Sequence, residues 1–335
     1  MKMRIEVVSP SPLGFVDGNR VTAERWAKIL REMGHDVEVR PEYSKQRADI
    51  LIALHARASL ESITAFRDRY PDAPLIVALT GSDLYRDLPK DASVLRALAL
   101  ATRLVVLHRR TVHELPESVR GKTWVIYQAA DPPDVRVSPQ ENQFQVAAVA
   151  HLTPDKDALR AALAARELPS SSLIQIQHAG GAPDAAMERK AKNEEKRNPR
   201  YHWLGPLPHE KALRLIDSSR LVVIASEYEG GSNVLSEALA CSVPVLVSRT
   251  SGLVGALGDD YPGYSPVGDT SELARLMSKA ETDQSFYEEL RRGCARAAWL
   301  VRPEQERASL QELLNELYVR PSAQRALFSR LTTND

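Results

Sequence analysis

The segment SEYEGGSNVLSEALACSVPVLVS, residues 226–248, decides the fold of this chain. It follows the apolar run LVVIA at residues 221–225 and ends with a second apolar run, VPVLV, at 243–247. Short apolar runs of this kind predict buried strands. Between them, a glycine turn at 229–232 leads into a predicted helix over residues 233–241, with Ser232 as its N-cap. The segment is therefore predicted to be a strand, turn, helix and strand of a parallel sheet.

The turn that opens this helix has the chemistry of a phosphate site. Glycines let the backbone approach a ligand closely, and the N–H groups at a helix N-terminus carry a partial positive charge. Glu229 in the turn and Glu237 in the helix flank that site, and their carboxylates accept hydrogen bonds from sugar and ribose hydroxyls. The combination predicts a sugar nucleotide, bound by Glu229, Gly230, Gly231, Ser232, Asn233, Val234 and Glu237.

The rest of the chain alternates predicted strands and helices in two halves. Strands are predicted at 4–8, 37–39, 50–54, 75–79, 103–107 and 125–127, and then at 146–150, 173–178, 201–204, 221–225 and 243–247. This alternation predicts an α/β protein with parallel sheets and right-handed crossovers. The polar, proline-rich segment 129–143 reads as a linker. The predicted domains are therefore Rossmann-like units at 1–137 and 138–302, with the helical segment 303–335 packing back on the first.

Loops that follow the strands hold the remaining candidate residues, because parallel sheets bind ligands outside the carboxyl ends of their strands. We expect the two sheets to face each other across a cleft lined by these loops. In the second half, Lys156 is the expected cation for a diphosphate. His151 can add a second positive charge only when it is protonated.

A second anion site is predicted in the first half. Gly18, Asn19 and Arg20 open a helix, and together they offer backbone amides, an amide side chain and a guanidinium. Asp83 could orient a sugar hydroxyl, hold Arg20 or cap a helix, whereas His108 and His113 are expected at the surface. The predicted acceptor-binding residues are Gly18, Asn19, Arg20, Arg57, Thr80, Gly81, Ser82 and Asp83.

The composition narrows the choice of partners. The 335 residues include 44 Lys plus Arg and 44 Asp plus Glu, so no overall field indicates nucleic acid or an acidic membrane. Cys241 and Cys294 lie in apolar helical contexts without metal-ligand spacing, as in a reduced cytoplasmic protein. No apolar run approaches the length of a membrane span. We expect a cytoplasmic protein with no metal and no cofactor.

The spacing Glu-x7-Glu from Glu229 to Glu237, followed by ALACSVPV, resembles the signature of retaining glycosyltransferases of family 4, which have the GT-B fold. The resemblance implies that Glu229 holds the transferred sugar, Glu237 holds the ribose and the loop amides hold the diphosphate. Family members usually place an arginine at the position of His151 and a lysine at that of Lys156. The departure at His151 leaves one fixed cation for the leaving group.

A narrower resemblance runs from about residue 4 to residue 315. The stretches GNRVTAERWAKILREMGH from Gly18, LIVALTGSDLYRDL from Leu75 and EGGSNVLSEALACSVPVLVS from Glu229 are similar to the selenosugar synthases of selenoneine biosynthesis. This resemblance implies transfer of the sugar of a UDP-hexose, foremost UDP-N-acetylglucosamine, to selenophosphate, with Glu229, Lys156, Asn19 and Arg20 as the catalytic set. Selenium is a strong nucleophile of low pKa and needs no general base.

Three other functions are compatible with the same residues. The first is a conventional family 4 transferase with a sugar or lipid acceptor, although the first half lacks the basic amphipathic helix that a lipid acceptor favours. The second is a non-catalytic sugar-nucleotide sensor, which the retention of both acids and Lys156 disfavours. The third is a UDP-sugar epimerase with the same fold. The preferred hexose, the stereochemistry at the anomeric carbon, the removal of phosphate from selenium and the oligomeric state are left open.

Overall fold

A computed structural model of the chain describes residues 2–10, 18–88, 90–140 and 142–331, with side chains described through residue 317. The chain forms two compact units. Unit 1 comprises the residues up to Tyr127 together with those from Glu304 onward, and unit 2 is Gln128–Pro303. Within these described residues, no helix combines the length and the apolar character needed to cross a membrane.

Unit 1 is built on a parallel sheet that has six strands in the part of the chain that the structure describes. The strands are β1 (Arg4–Val8), β2 (Asp36–Arg40), β3 (Ile50–Leu54), β4 (Leu75–Ala78), β5 (Arg103–Val106) and β6 (Thr123–Val125). Their order across the sheet is β2-β1-β3-β4-β5-β6. The chain therefore leaves β1 and β3 toward opposite sides, and the point between these two strands is where ligands of such sheets bind.

Helices cover this sheet because their apolar residues recur at helical spacing. The unit 1 helices up to residue 120 are α1 (Gly18–Glu32), α2 (Leu60–Arg69), α3 (Ala92–Leu100), α4 (Arg109–Glu114) and α5 (Glu117–Arg120), with a π-helical turn at Asp83–Asp87. In α1, Trp26, Ile29 and Leu30 are buried on the face that meets the sheet. Gly34 follows with φ of 92°, a conformation that ends the helix at little steric cost.

Unit 2 repeats the architecture with a different strand order. Its strands are β7 (Phe144–Val149), β8 (Ile174–Ala179), β9 (Tyr201–Gly205), β10 (Leu221–Ile224), β11 (Val245–Ser248) and β12 (Tyr264–Ser265). Its helices are α6 (Arg160–Arg166), α7 (Ala185–Arg197), α8 (His209–Asp217), α9 (Asn233–Ala240), α10 (Ser251–Leu257), α11 (Thr270–Thr282) and α12 (Gln284–Ala297). Among the described residues the order β12-β11-β10-β7-β8-β9 is that of the doubly wound nucleotide-binding sheet, which reverses between β7 and β10.

Several elements depart from the sequence-based prediction. β6 begins and ends two residues earlier than the expected strand 125–127, and β11 begins at Val245 rather than 243. Pro244 has no N–H to give to a strand ladder, although its carbonyl accepts from the N–H of Val222 at 3.0 Å. The sequence did not predict α10 or β12, because α10 carries two glycines in seven residues and β12 has only two residues.

The boundary between the units lies at 127/128 rather than at the expected 137/138. Ser236 Oγ donates to the carbonyl of Gln128 at 2.7 Å. Farther along, the Arg136 guanidinium pairs with Asp217 Oδ1 at 2.6 Å, and the side chain of Asp217 is fully buried. The segment read as a linker therefore belongs to unit 2. Polar contacts such as that of Arg136 leave no apolar periodicity in the sequence.

Helix α13 (Pro303–Leu331) begins at the end of unit 2, and its described side chains pack in unit 1. Four of its leucines are buried in the core that also contains Trp26, namely Leu310, Leu313, Leu314 and Leu317. Glu306, which is fully buried at its side chain, accepts from Trp26 Nε1 at 2.7 Å and from Arg25 Nε at 2.8 Å. The buried carboxylate of Glu306 thus joins α13 to α1 through these hydrogen bonds.

Replacement of Glu306 by alanine should destabilise unit 1 strongly. The substitution leaves the buried indole N–H and a largely buried guanidinium without their acceptor, a loss of about 3–5 kcal/mol. Glu32→Ala is the matched control. Glu32 of α1 pairs with Arg307 of α13 at 2.9 Å, but both side chains are exposed. The control should cost less than about 1 kcal/mol. Urea denaturation of the intact chain measures both, and equal losses would contradict this account of Glu306.

Candidate functional site

The carboxyl ends of β7 and β10 bring together two of the predicted donor residues. Lys156 ends the short helical turn Pro154–Lys156 after β7, and Glu229 lies in the loop after β10. Lys156 Nζ lies 2.7 Å from Glu229 Oε1, and the side chains are 34% and 7% exposed. The backbone joins the same two loops, because the N–H of Glu227 donates to the carbonyl of Asp155 at 2.8 Å. The site therefore lies where the strand order of unit 2 reverses.

The electrostatics of this pair favour two charged groups. Burial lowers the pKa of Lys156, but the charge of Glu229 and its hydrogen bond offset that effect, so the pKa is raised above its usual value. Ser226 Oγ also donates to Glu229 Oε1, at 2.8 Å. A nearly buried carboxylate thus has one cation and one hydroxyl fixed on one oxygen, while its second oxygen keeps the capacity to accept a ligand hydroxyl.

Gly252 of α10 packs directly against the backbone of Glu229. A Cβ atom built on Gly252 would lie 2.0 Å from the carbonyl oxygen of Glu229 and 2.7 Å from its carbonyl carbon. No side chain fits there unless the loop moves. Sequence reasoning missed this residue, because a glycine in the segment TSGLVGAL reads as an ordinary loop residue when the neighbouring strand is unknown.

Helix α9 begins at Asn233, as the sequence predicted, and presents its N-terminus beside Glu229. Ser232 is its N-cap and accepts from the N–H of Leu235 at 3.2 Å. Gly230 is buried and Gly231 is half-buried, so this loop follows the surface of the unit closely. The N–H groups of the first turn carry the partial positive charge that suits a phosphate.

The second acid, Glu237, is nearly buried in the middle of α9. Its side chain is 8% exposed, and Oε1 lies 2.9 Å from Nε2 of His209, a residue that is 63% exposed. His209 is the first residue of α8 and was not predicted to belong to the site. No motif marks it, since it comes 28 residues before Glu237 in the sequence.

His151 lies two residues after β7, at the position that the sequence predicted. Its Nδ1 accepts from the N–H of Gly181 at 3.1 Å. This contact holds the ring against the Gly180–Gly181 loop. The role of a protonated His151 as a second cation stays a prediction. Gly180 itself lies against the Ala150 carbonyl, 1.7 Å from where a Cβ atom would be.

Behind this loop, a buried histidine supports the end of β7. His178 Nδ1 accepts from the Tyr201 hydroxyl at 2.7 Å, and its Nε2 donates to the carbonyl of Ala150 at 2.9 Å. Burial lowers the pKa of His178 to about 4, an effect that the Ala150 carbonyl only partly opposes. His178 is therefore neutral at pH 7 and shapes the backbone that leads to His151 and Lys156.

His178 should make the stability of unit 2 sensitive to acid. In the unfolded chain a histidine binds its proton near pH 6.5, whereas the buried His178 resists protonation down to about pH 4. Between these values the unfolded state binds more protons, so stability falls as the pH falls, by at most about 3 kcal/mol.

Substitution of this residue tests the pH dependence. In His178→Asn the stability at pH 7 should drop, and the further loss between pH 6.5 and pH 4.5 should be smaller than in the wild-type protein. His113→Asn, at an exposed position, is the control and should change neither quantity. Urea denaturation at each pH provides the free energies. An unchanged pH slope in His178→Asn would contradict the burial argument.

The predicted acceptor residues of unit 1 lie at the carboxyl ends of its strands and at the start of α1. His55, which follows β3 with φ of 66°, contacts Ser82 Oγ through Nε2 at 2.8 Å. A non-glycine residue in the left-handed region is uncommon and is often found at functional sites. Thr80, Gly81 and Ser82 follow β4, so the structure joins the loops after β3 and β4.

Asp83 was expected to contact a ligand, but its carboxylate is bonded to two loops of unit 1. It is fully buried, and its carboxylate accepts from the N–H of Ala56 and the N–H of Thr80, each at 2.8 Å, and from the Thr80 hydroxyl at 3.1 Å. These bonds use both oxygens to hold the two loops together. Asp83 therefore neither holds Arg20 nor reaches a sugar hydroxyl.

The two predicted arginines of unit 1 each pair with acids. Arg20, in the first turn of α1, lies 2.6 Å from Glu24 one turn farther along, and Arg57 lies 2.9 Å from Asp91. Gly18 is exposed at the start of α1, and Asn19 is half-buried beside it. The Arg20 pair is an exposed i,i+4 pair and therefore weak.

His108 was expected at the surface, and the structure corrects this. Its side chain is 1% exposed, and Nε2 contacts the Thr111 hydroxyl at 2.7 Å and the Tyr85 hydroxyl at 3.1 Å. Burial lowers its pKa to about 4. His108 lies two residues after β5 and directly before α4, and it is buried by contacts with Thr111 of α4 and with Tyr85.

In the described ranges no group of three or more His, Cys, Asp and Glu side chains is arranged to hold a metal ion. Cys241 and Cys294 are both buried and both carry a free thiol.

Solved structures of other proteins share this fold. The Anabaena protein HepE in complex with UDP has a TM-score of 0.72 at 18% identity, covering 94% of this chain and 100% of that chain. Sucrose-phosphate synthase from Thermosynechococcus elongatus has a TM-score of 0.75 at 15% identity, covering 95% and 100%. A glycosyltransferase from Rickettsia africae has a TM-score of 0.70 at 15% identity, covering 95% and 99%. No curated protein matched the sequence.

The fold and the site of unit 2 together define the class of protein. Two units with parallel sheets, of which the second has the doubly wound order, make this an α/β protein of the GT-B type, as the sequence predicted. Residues 134–298 match the family described as Glycosyl transferases group 1, and this match includes Lys156, Glu229 and Glu237. The matched residues make up most of unit 2, Gln128–Pro303.

Proposed function

We propose that this protein is a glycosyltransferase that uses a UDP-hexose as donor and that unit 2 binds the UDP group. The observation that carries the proposal is the pair Lys156–Glu229 at 2.7 Å, at the reversal point of a group 1 domain and beside the N-terminus of α9. The neighbouring structures support the choice of nucleotide, since HepE was solved with UDP, with UDP and glucose, and with UDP-glucose.

In this proposal the diphosphate lies at the start of α9. The backbone N–H groups of Gly230, Gly231, Ser232, Asn233 and Val234 contact its oxygens. Lys156 turns from Glu229 toward the diphosphate, a short movement for a flexible side chain that is one-third exposed. Glu229 then accepts hydrogen bonds from the sugar, and Glu237 accepts from the ribose.

The chemistry follows from where charge develops. As the bond between the anomeric carbon and the diphosphate oxygen breaks, negative charge grows on the leaving UDP. A fixed cation and helix-end N–H groups directed at that position stabilise the transition state by several kcal/mol. Lys156 has a permanent positive charge at pH 7, whereas His151 adds one only when it is protonated. Lys156 therefore carries most of the charge compensation among the predicted donor residues.

We further propose selenophosphate as the acceptor and UDP-N-acetylglucosamine as the preferred donor. The support is the similarity of the stretches from Gly18 and from Leu75 to selenosugar synthases, and both stretches belong to unit 1. The selenium attacks the anomeric carbon, a carbon–selenium bond replaces the carbon–oxygen bond, and UDP leaves. Water then cleaves the phosphorus–selenium bond, which gives a 1-seleno sugar and inorganic phosphate.

The residues proposed to bind the selenophosphate are in the first turn of α1 and in the loops after β3 and β4. Asn19 and Arg20 provide an amide and a guanidinium, and Arg57 provides a second cation that is 52% exposed. Thr80, Gly81 and Ser82 provide a hydroxyl-rich loop. A phosphate competes with Glu24 for Arg20, which is feasible because that exposed pair contributes little. We place the reaction in the cytoplasm, where both free thiols stay reduced.

A product assay tests the acceptor. The full-length protein is incubated with UDP-N-acetylglucosamine and selenophosphate, and mass spectrometry follows UDP and any sugar that carries the selenium isotope pattern. The proposal expects both products in equal amounts. Release of UDP only when a sugar or lipid replaces selenophosphate would refute the selenium proposal and indicate a conventional family 4 acceptor. Absence of UDP release with every acceptor would refute the transferase proposal.

The two acids should have separable effects on kinetics. Glu237→Ala removes a contact present in both ground state and transition state, so the affinity for UDP should fall. Glu229→Ala removes a contact that tightens as the anomeric centre distorts, so kcat should fall more than affinity. Each loss should be roughly 1.5–3 kcal/mol. Calorimetry with UDP and steady-state rates measure the two effects, and near-normal values for both variants would contradict the donor assignment.

A further inference from the structure

The side chain of Glu237 has a partner that the donor assignment does not use. His209 Nε2 lies 2.9 Å from Glu237 Oε1. The carboxylate is only 8% exposed, so water does little to satisfy it. Nearly buried carboxylates need hydrogen-bond donors from the protein, because burial without them costs free energy. His209 supplies such a donor to Glu237.

His209 does not stabilise α8 through its position in that helix. It is the first residue of that helix, where a positive histidine opposes the helix dipole. Its side chain is 63% exposed and so contributes little to the core. The residue directs Nε2 at the carboxylate, and Nε2 must carry the proton of this hydrogen bond because an ionised carboxylate only accepts.

Helices α8 and α9 are held firmly enough to make this contact well defined. Leu213 and Ile216 of α8 share one hydrophobic core with Leu235 and Leu239 of α9. Close-packed cores keep such elements in a fixed relation. The imidazole therefore meets the carboxylate at a constant position, and one oxygen of Glu237 is engaged while Oε2 keeps its acceptor capacity.

We propose that His209 is a positioning residue for the nucleoside of the donor, acting through Glu237 on the ribose hydroxyls. This rests on the proposed function, in which Glu237 binds the ribose. The hydrogen bond from His209 holds Oε1 and thereby orients the carboxylate, so that Oε2 faces the ribose hydroxyls. Without His209 the carboxylate rotates freely and loses part of its preference for a ribose that carries both hydroxyls.

The test compares two ligands on the wild-type protein and on variants of the full-length chain. Calorimetry measures the affinities for UDP and for 2′,3′-dideoxyuridine diphosphate, which has the same base and diphosphate but no ribose hydroxyls to bind. His209→Leu removes the donor, and His209→Gln keeps an N–H at the end of a side chain of similar reach. Glu210→Gln is the control, since Glu210 lies next to His209 on α8 and is exposed, and its ion-pair partner among the described residues is the exposed Arg214.

The expected result is specific to the ribose. His209→Leu should weaken UDP about five- to tenfold, less than the loss of a direct charge-assisted contact, because His209 acts on the ribose only through Glu237. It should leave the dideoxy ligand unchanged, His209→Gln should recover part of the loss, and Glu210→Gln should match wild type. In the Glu237→Gln background, His209→Leu should add little, because the two residues act as one unit.

Three outcomes overturn the inference, and they separate it from the donor assignment. Equal weakening of both ligands by His209→Leu would mean that His209 acts on the base, the diphosphate or the fold. Weakening of UDP by Glu237→Gln with no effect of either His209 variant would leave the donor site intact and remove His209 from it. Failure of the wild-type protein to bind UDP would refute the proposed function itself, and the inference with it.

Discussion

Lys156 and Glu229 come from two loops on either side of the point where the strand order of unit 2 reverses, and their side chains meet at 2.7 Å. A charged carboxylate that is 7% exposed is tolerated only with a cation and donors at hand. The loop after β7 must therefore place Lys156, and the loop after β10 must place Glu229, so that the ammonium and the carboxylate lie within hydrogen-bond distance. Most of the other residues predicted to bind the donor lie in the loop that carries Glu229 or in α9, which follows it.

Close backbone contacts keep the two loops at this distance. Gly252 leaves no room for a side chain above the Glu229 carbonyl, and Gly180 leaves none beside the Ala150 carbonyl. His178 anchors that same carbonyl from behind. Glycine is required at both glycine positions because of close approach rather than because of turn geometry. Close packing of α8 against α9 likewise holds the two helices that carry His209 and Glu237 in a fixed relation.

The sequence predicted the elements better than the contacts between them. Helix α9 and its N-cap Ser232 follow from local chemistry, since capping, apolar spacing and glycine placement act within a few residues. The choice of Lys156 and Glu229 followed from their places after strands, but their direct contact depends on the order of strands in space. His209 gave no signal because its partner is on another helix. His108 was misjudged because the helix that covers it was not predicted.

The boundary between the units at 127/128 also depends on contacts that the sequence does not reveal. The segment after Tyr127 is polar and proline-rich, and such a composition indicates a linker when burial is unknown. Its place in unit 2 is fixed instead by the buried carboxylate of Asp217, which pairs with Arg136. Asp83 is a parallel case in unit 1. Its side chain was expected to contact a ligand, but it is used to join two loops.

The central claim is that Lys156 leaves Glu229 to bind the diphosphate of the donor. The most direct test is calorimetry of UDP and of uridine with wild-type protein and with Lys156→Gln, which removes the charge but keeps a donor for Glu229. The account predicts that UDP binds about ten- to a hundredfold more weakly to the variant, the loss of one charge-assisted contact, whereas uridine binds equally well to both. An unchanged affinity for UDP, or an equal loss for UDP and uridine, would contradict it.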